Sequence, residues 1–237
     1  MSKTTLRLGG VVLTSATVLG AWAGIATASP PSLSTVQAAA AAAITLRVND
    51  LNAAITKVNG SKDLASDSAA LAAYLQADIG PLQALGQKIA SDNSVTTAMS
   101  DAATIYTNFR VLALVLPAAH LAANVDGIDV TVLPDLTSLA DKAESRVNPS
   151  NQAVLQPLIN DMNTQINAAT TGTSGVASTV LGYTPAQWNA NHDLLAPAHG
   201  AVQAAIANVA KARADAQQIR SVLKSAEPAA TTTSTTA

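Results

Sequence analysis

Cysteine is absent from all 237 residues. That absence excludes a disulfide framework, a thiolate nucleophile and a thiolate metal site, and it leaves nothing for the lipid that anchors a bacterial lipoprotein. Glutamate is nearly absent too, with Glu144 and Glu227 alone. A di-iron carboxylate bundle, which needs several inward glutamates and Glu-x-x-His pairs, cannot be built from two. Aromatic residues make up 3% of the chain, so any core must be aliphatic. Basic residues form no block, and the thirteen Lys and Arg are outnumbered by fifteen Asp and Glu. Without clustered cations to neutralise phosphates, nucleic acid is not an expected partner.

What is present begins with an address. Lys3 and Arg7 precede an apolar run from Leu8 to Ile25, which closes in Ala26-Thr27-Ala28. This order of positive, apolar and small residues is that of a secretory signal; Ala26 and Ala28 suit the peptidase subsites, and cleavage is expected between Ala28 and Ser29. The alternative is an uncleaved anchor, since the run approaches the ~20 residues that span a bilayer. Gly9, Gly10, Gly20 and Gly24 dilute it and weigh against that reading. The expected organisation is a signal peptide over 1–28, a single helical domain over 29–225 and a disordered Thr- and Ser-rich tail over 226–237. The expected location is secreted or extracytoplasmic, in the cell envelope, with membrane contact only through the first segment if it stays attached.

Alanine fills about a fifth of the positions. It has no side-chain entropy to lose, so alanine-rich segments become helical at little conformational cost, but they bury little area and must pack closely over long lengths. Periodicity agrees. Ala41, Ile44, Val48, Leu51, Ile55 and Val58 recur in steps of three and four until Gly60. A second helix over Asp63 to Ala90 carries Asp78 on its apolar seam and is broken at Gly80-Pro81. A third, from Ser94 to Ala123, is expected to bend at Pro117, which cannot bond to the Ala113 carbonyl. Asp126-Gly127 reads as a turn, and Asn148-Pro149 as a helix start with Asn as cap. Thr170 to Gly182 reads as a loop. Thr184-Pro185-Ala186-Gln187 is a capping box, and the last helix holds Leu195, Ala198, Val202, Ala205, Val209, Ala212, Ala216, Ile219 and Leu223 on one seam. The expected fold is all-α, an antiparallel helical bundle of four to six helices with long, coiled-coil-like members.

Chemistry-bearing candidates are few. No histidine begins a zinc-protease motif, Gly172-Thr173-Ser174-Gly175 lacks the rest of a nucleophile elbow, and no phosphate loop or dinucleotide fingerprint occurs. No cofactor and no catalytic set is expected. His192, Asp193 and His199 are the metal candidate, although Pro197 intervenes and seven residues separate the two rings. If the second and third helices form a hairpin turning near Asp92-Asn93, Asp78 and Arg110 come to similar heights, and a partly buried pair between them would satisfy both charges. His120, below Pro117, is expected to cap a carbonyl that the proline frees. Tyr183 and Trp188 are expected to anchor their loop to the bundle.

Two stretches carry a resemblance. Ala90-Ser91-Asp92, Asn108-Phe109-Arg110-Val111 through Leu116-Pro117, His120-Leu121 and Asp126, followed by Pro185 to Asn191, resemble uncharacterised secreted, alanine-rich helical-bundle proteins of actinobacteria. The resemblance implies an exported bundle, supplies no activity, and marks Arg110, Pro117, His120, Asp126, Trp188 and Asn189 as positions of interest; Ala118-Ala119 is smaller than the family pattern. The expected role is a non-enzymatic structural or interaction protein whose partner is itself, another protein or a cell-wall component. The alternative is a carrier that takes a lipid or small apolar ligand between the helices kinked at Pro81 and Pro117.

Overall fold

The computed structural model describes residues 30–62, 64 and 68–226. The expected signal segment, with Ala26, Ala28 and Ser29, lies outside the described residues, as does the tail beyond Ala226. Among the described residues the chain is all-α, without a strand.

Local rules place most helix ends. Helix α1 spans Leu33–Gly60, and its first turn is closed by the Ser32 hydroxyl, which accepts from the Thr35 N–H at 3.2 Å. The second leg breaks between α2 (Ser68–Gln76) and α3 (Ile79–Ser91). Pro81 falls in the first turn of α3, where a missing N–H has no intrahelical partner to lose. The turn expected at Asp92-Asn93 is present, and Ser94 caps α4 (Val95–Thr104) by accepting from Thr97 N–H at 3.1 Å. Gln37 ties this turn back to α1, donating to the carbonyls of Ile89, Ala90 and Asp92 at 3.1, 3.2 and 3.1 Å. All three carbonyls lie at the helix end, where the next turn of N–H partners is missing; of them Ile89 also accepts from the Asp92 N–H at 3.2 Å.

From Val95 to Glu144 the chain then stays helical in all but one residue. Wide π-turns cover 105–109, 111–115 and 127–132, joined by α5 (Leu116–Asp126) and followed by α6 (Leu133–Glu144). Two expectations are corrected here. The break falls at Arg110, at φ 50° and ψ 31°, and not at Pro117. Pro117 is the second residue of α5, and the preceding π-turn closes with the Leu116 N–H bonded to the Val111 carbonyl. Nor is Asp126-Gly127 a turn, because Gly127 has ordinary helical angles of −61° and −35°. This run is long and apolar enough to cross a membrane by length and composition, but 61% of its apolar window is buried inside the bundle, as in the core helix of a globular domain.

Helix α7 (Gln152–Thr173) starts four residues after the expected cap, Asn148. Asn148 accepts from Ser150 N–H and Asn151 accepts from Asn148 N–H, so the two side chains bond into the turn and neither caps the helix. The expected loop over 170–182 is mostly helix: only Ser174 and Gly175, at φ 73°, separate α7 from α8 (Val176–Leu181). Helix α9 (Pro185–Ala190) carries the complete capping box, with Thr184 and Gln187 each bonding the other's backbone. Helix α10 (Ala196–Ala226) is the longest regular element, about 46 Å at ~1.5 Å per residue.

The legs alternate in direction. Gln37 meets the α3 end, Gly86 would place a Cβ 3.3 Å from Ile44, and Lys88 pairs with Asp101 at the next hairpin. Glu144 accepts from Gln156 Nε2 at 3.1 Å, while Thr173 Oγ1 donates to Asp129 at 2.7 Å, so α7 runs back along the preceding leg. Two buried clusters result. One gathers α1 to α5, α8 and the first residues of α10 around Leu51, Leu75 and Leu114. The other joins the π-turn over 127–132 to a three-helix bundle of α6, α7 and the remainder of α10 around Leu155, Ile159 and Met162.

Candidate functional site

The break at Arg110 organises the most polar part of the first half. Interrupting a helix leaves carbonyls of the preceding turn without their N–H partners. One of them, on Thr107, accepts from Asn189 Nδ2 at 2.9 Å, and the other end of the same amide accepts from Arg110 Nε at 2.6 Å. One side chain of α9 thus holds both the freed backbone and the residue that breaks it. A left-handed conformation at a residue with a Cβ costs roughly 1–2 kcal/mol, and Arg110 is the sole non-glycine in that region among the described residues.

Asp78 is therefore not the partner of Arg110. The guanidinium turns to Asn189, and the one ion pair between α3 and α4 among the described residues is Lys88 with Asp101. Asp78 stays half-buried beside Tyr74. Burial raises its carboxyl above the usual value, while burial and the Asp78 charge together push the Tyr74 hydroxyl up to about 12.

The three histidines go to different places. His192 is exposed and meets Trp188 edge-on, with ring centroids 5.8 Å apart. Asp193 lies in the turn before α10, where its N–H donates to Asn191 at 3.0 Å. His199 is exposed on α10, and its charge acts on His120. Among the described residues no group of three or more His, Asp and Glu side chains is arranged to hold a metal ion. His120 bonds Asn124 at 3.2 Å and not a carbonyl freed by Pro117, which corrects the expected capping role. Burial lowers its pKa first, and the positive charges of His199 and Lys57 lower it further. Asp126 is buried on the same helix. Tyr183 and Trp188 are half-buried against the first cluster, which places both where an anchor would stand.

Sequence reasoning missed a second polar feature beside this site. Arg47 is 7% exposed, donates to the Ala43 carbonyl at 2.9 Å, and stacks its guanidinium 4.6 Å above the Tyr106 ring. Burial lowers its pKa, opposed in part by Tyr106 and Asp50. The signal was present in the spacing. Ala40, Ile44, Arg47 and Leu51 form the buried three-four series of α1, whereas Ala41 is exposed and Val48 only half-buried. Tyr106 itself remains 45% exposed, and Met99, two turns before it, is 40% exposed.

The three-helix half holds different features. Asp215 on α10 is buried with one carboxylate oxygen unbonded, and burial followed by the charge of Asp161 raises its pKa. An open groove of about 580 Å³ lies between α6 and α7, with Asp129, Asp141, Thr137 and Thr170 on its walls, and a smaller cleft lies between α6 and α10. Neither is lined by residues flanking Pro81 or Pro117. Comparison with family models, with curated proteins and with solved structures finds no match to this chain.

Proposed function

We propose that this chain is an exported, non-enzymatic helical protein of the cell envelope or extracellular space that works by association with itself, another protein or a cell-wall component. The observation that carries the reading is Tyr106, whose ring is fixed from beneath by buried Arg47 while nearly half of the residue faces solvent. A guanidinium is expensive to bury, and the stacking that offsets this also removes the freedom of the ring. Rigid tyrosines with one apolar face and one polar end are the residues that dominate association energies, because little entropy remains to be lost on binding. Met99 extends the apolar surface along the same helical stripe. The Lys3-to-Ala28 pattern supports export, and the resemblance at 90–126 and 185–191 supports placing the chain beside secreted alanine-rich bundles of actinobacteria.

Crosslinking and pull-down from the intact envelope, together with light scattering of the purified protein, test this. The wild type is expected to give a defined oligomer or a retained partner that Tyr106→Ala loses while its thermal unfolding stays cooperative. Equal recovery with Tyr106→Ala, or a chain that is retained only when residues 1–28 are still attached, would remove the support for it.

A further inference from the structure

The cleft between α6 and α10 lies over α7 and encloses about 230 Å³. Its floor is the fully buried Met162, and its width comes from Ala143 and Ala216, which face it from either side with side chains too small to close it. Four residues along α10 from Ala216 stands Arg220, and Lys142 and Arg146 flank Ala143, so both walls end in cations. All three cations are exposed, and none has a carboxylate within ion-pairing distance among the described residues. The two acids of α6 nearest these cations are turned elsewhere. Glu144 accepts from Gln156 on the α7 side, and Asp141 lines the other groove. At the end of α6 charge is thus sorted, acidic toward α7 and basic toward α10, with an apolar slot beneath the basic edge.

We propose that this cleft binds a single-chain carboxylate amphiphile, a free fatty acid, with its alkyl chain over Met162 between Ala143 and Ala216 and its head group held by Arg146, Arg220 and Lys142. Guanidinium groups match a carboxylate in planar, two-point fashion, and the apolar slot supplies what a purely ionic site lacks. The volume is below the ~300–1,000 Å³ of sites that enclose drug-sized ligands, which suits one alkyl chain and not a two-chain lipid. The site does not depend on the association surface at Tyr106, which lies in the other half.

Calorimetric titration of the purified full chain with dodecanoate, below its micelle concentration, tests the assignment against dodecanol, dodecyl phosphate and phosphatidylglycerol vesicles. Dodecanoate is expected to bind at one saturable site, with dodecanol at least ~10-fold weaker, as the loss of one charge-assisted bond implies. The double substitution Arg146→Gln/Arg220→Gln, at two exposed positions, is expected to weaken dodecanoate by ~10-fold or more with its melting unchanged. Ala216→Phe, which fills the slot, is expected to abolish binding; should that variant unfold, the double substitution carries the test. No saturable binding, equal affinity for dodecanol, undiminished binding by the double variant, or tighter binding of dodecyl phosphate would each overturn the proposal. So would flotation with vesicles without dodecanoate binding, or a ~10-fold gain in affinity on deleting 227–237, which would give the cleft to the chain's own tail.

Discussion

In the three-helix half, Ala169, Ala205 and Ala212 are at most 1% exposed, and α7 and α10 pack with small residues between them. In the other half the leg from Val95 is interrupted by π-turns and the left-handed Arg110, and Arg47 is buried among apolar residues. Both halves bury large aliphatic side chains completely, and the difference lies in how the backbone gets them there. Continuous helices place a three-four seam by geometry alone, so each core position depends on its immediate neighbours. Where the helix is widened or broken, a core position depends on distant side chains that hold the irregular backbone in place, as Asn189 does for Thr107 and Arg110.

The largest test of that contrast is a matched pair of cavities. Leu155 on α7 and Leu114 in the second π-turn are both 0% exposed. Substitution of either by Ala removes the same atoms and falls within the ~2–5 kcal/mol range for buried leucines. Leu155→Ala is expected near the upper end and Leu114→Ala near the lower, because a π-turn can rewind to close a void that the close packing of α7 against α10 cannot. Urea denaturation of both variants measures this, and equal losses would mean that the irregular half is as rigid as the regular one.

Next in size is the backbone strain at Arg110. Arg110→Ala and Arg110→Gly both lose the bond to Asn189, but only glycine tolerates the left-handed angles freely. The glycine variant is expected to be the more stable of the two by roughly 1–2 kcal/mol. No difference would show that the break relaxes once Asn189 is released, so that the clamp and not the surrounding core imposes it.

The smallest effects are in pH dependence, and they differ in sign between His120 and the half-buried or buried carboxyls. His120 has a folded pKa below its usual 6.5, so as pH falls from 6.5 toward that lowered value the unfolded chain takes up a proton that the folded one refuses. Stability falls in that window. Asp215 has a folded pKa above its usual 3.8, so between that raised value and 3.8 the folded chain holds the extra proton. Stability there rises as pH falls, and Asp78, raised by burial, adds to the same limb. His120→Gln is expected to flatten the first limb. Asp215→Asn is expected to reduce the second and to stabilise the protein at neutral pH, as followed by thermal melting across the range.

Much of the fold was legible where the controlling interactions are local. Every expected seam residue of α10 from Leu195 to Ile219 is buried, the capping box at Thr184 is complete, and the hairpin turns at Asp92-Asn93. The candidate site was legible only as separate residues. Arg110 and Asn189 were both marked by resemblance, yet Asp78 was the expected partner, because matching heights on a hairpin do not say which way an arginine turns. The metal candidate failed to assemble for a related reason. His192 sits in a turn, where its ring meets Trp188 of α9, and His199 is exposed on α10, so the two are held by different elements. The helix α8, hidden in a stretch rich in Thr, Ser and Gly, shows packing overriding propensity, since Val176, Ala177, Val180 and Leu181 gain burial against the first cluster.

The sequence by itself determined that this chain is helical, where its longest helices run and which face of α10 is buried. Alanine content, three-four spacing and capping residues act within a few positions of one another and need no knowledge of the rest. Only the tertiary structure decided that Asn189 closes the break at Arg110 across 79 residues, that Arg47 lies beneath Tyr106, and that the basic edge of α6 meets that of α10 over Met162. Those juxtapositions depend on which helices become neighbours and at what register, and that is settled by summed burial along whole helices and not by any short stretch of residues.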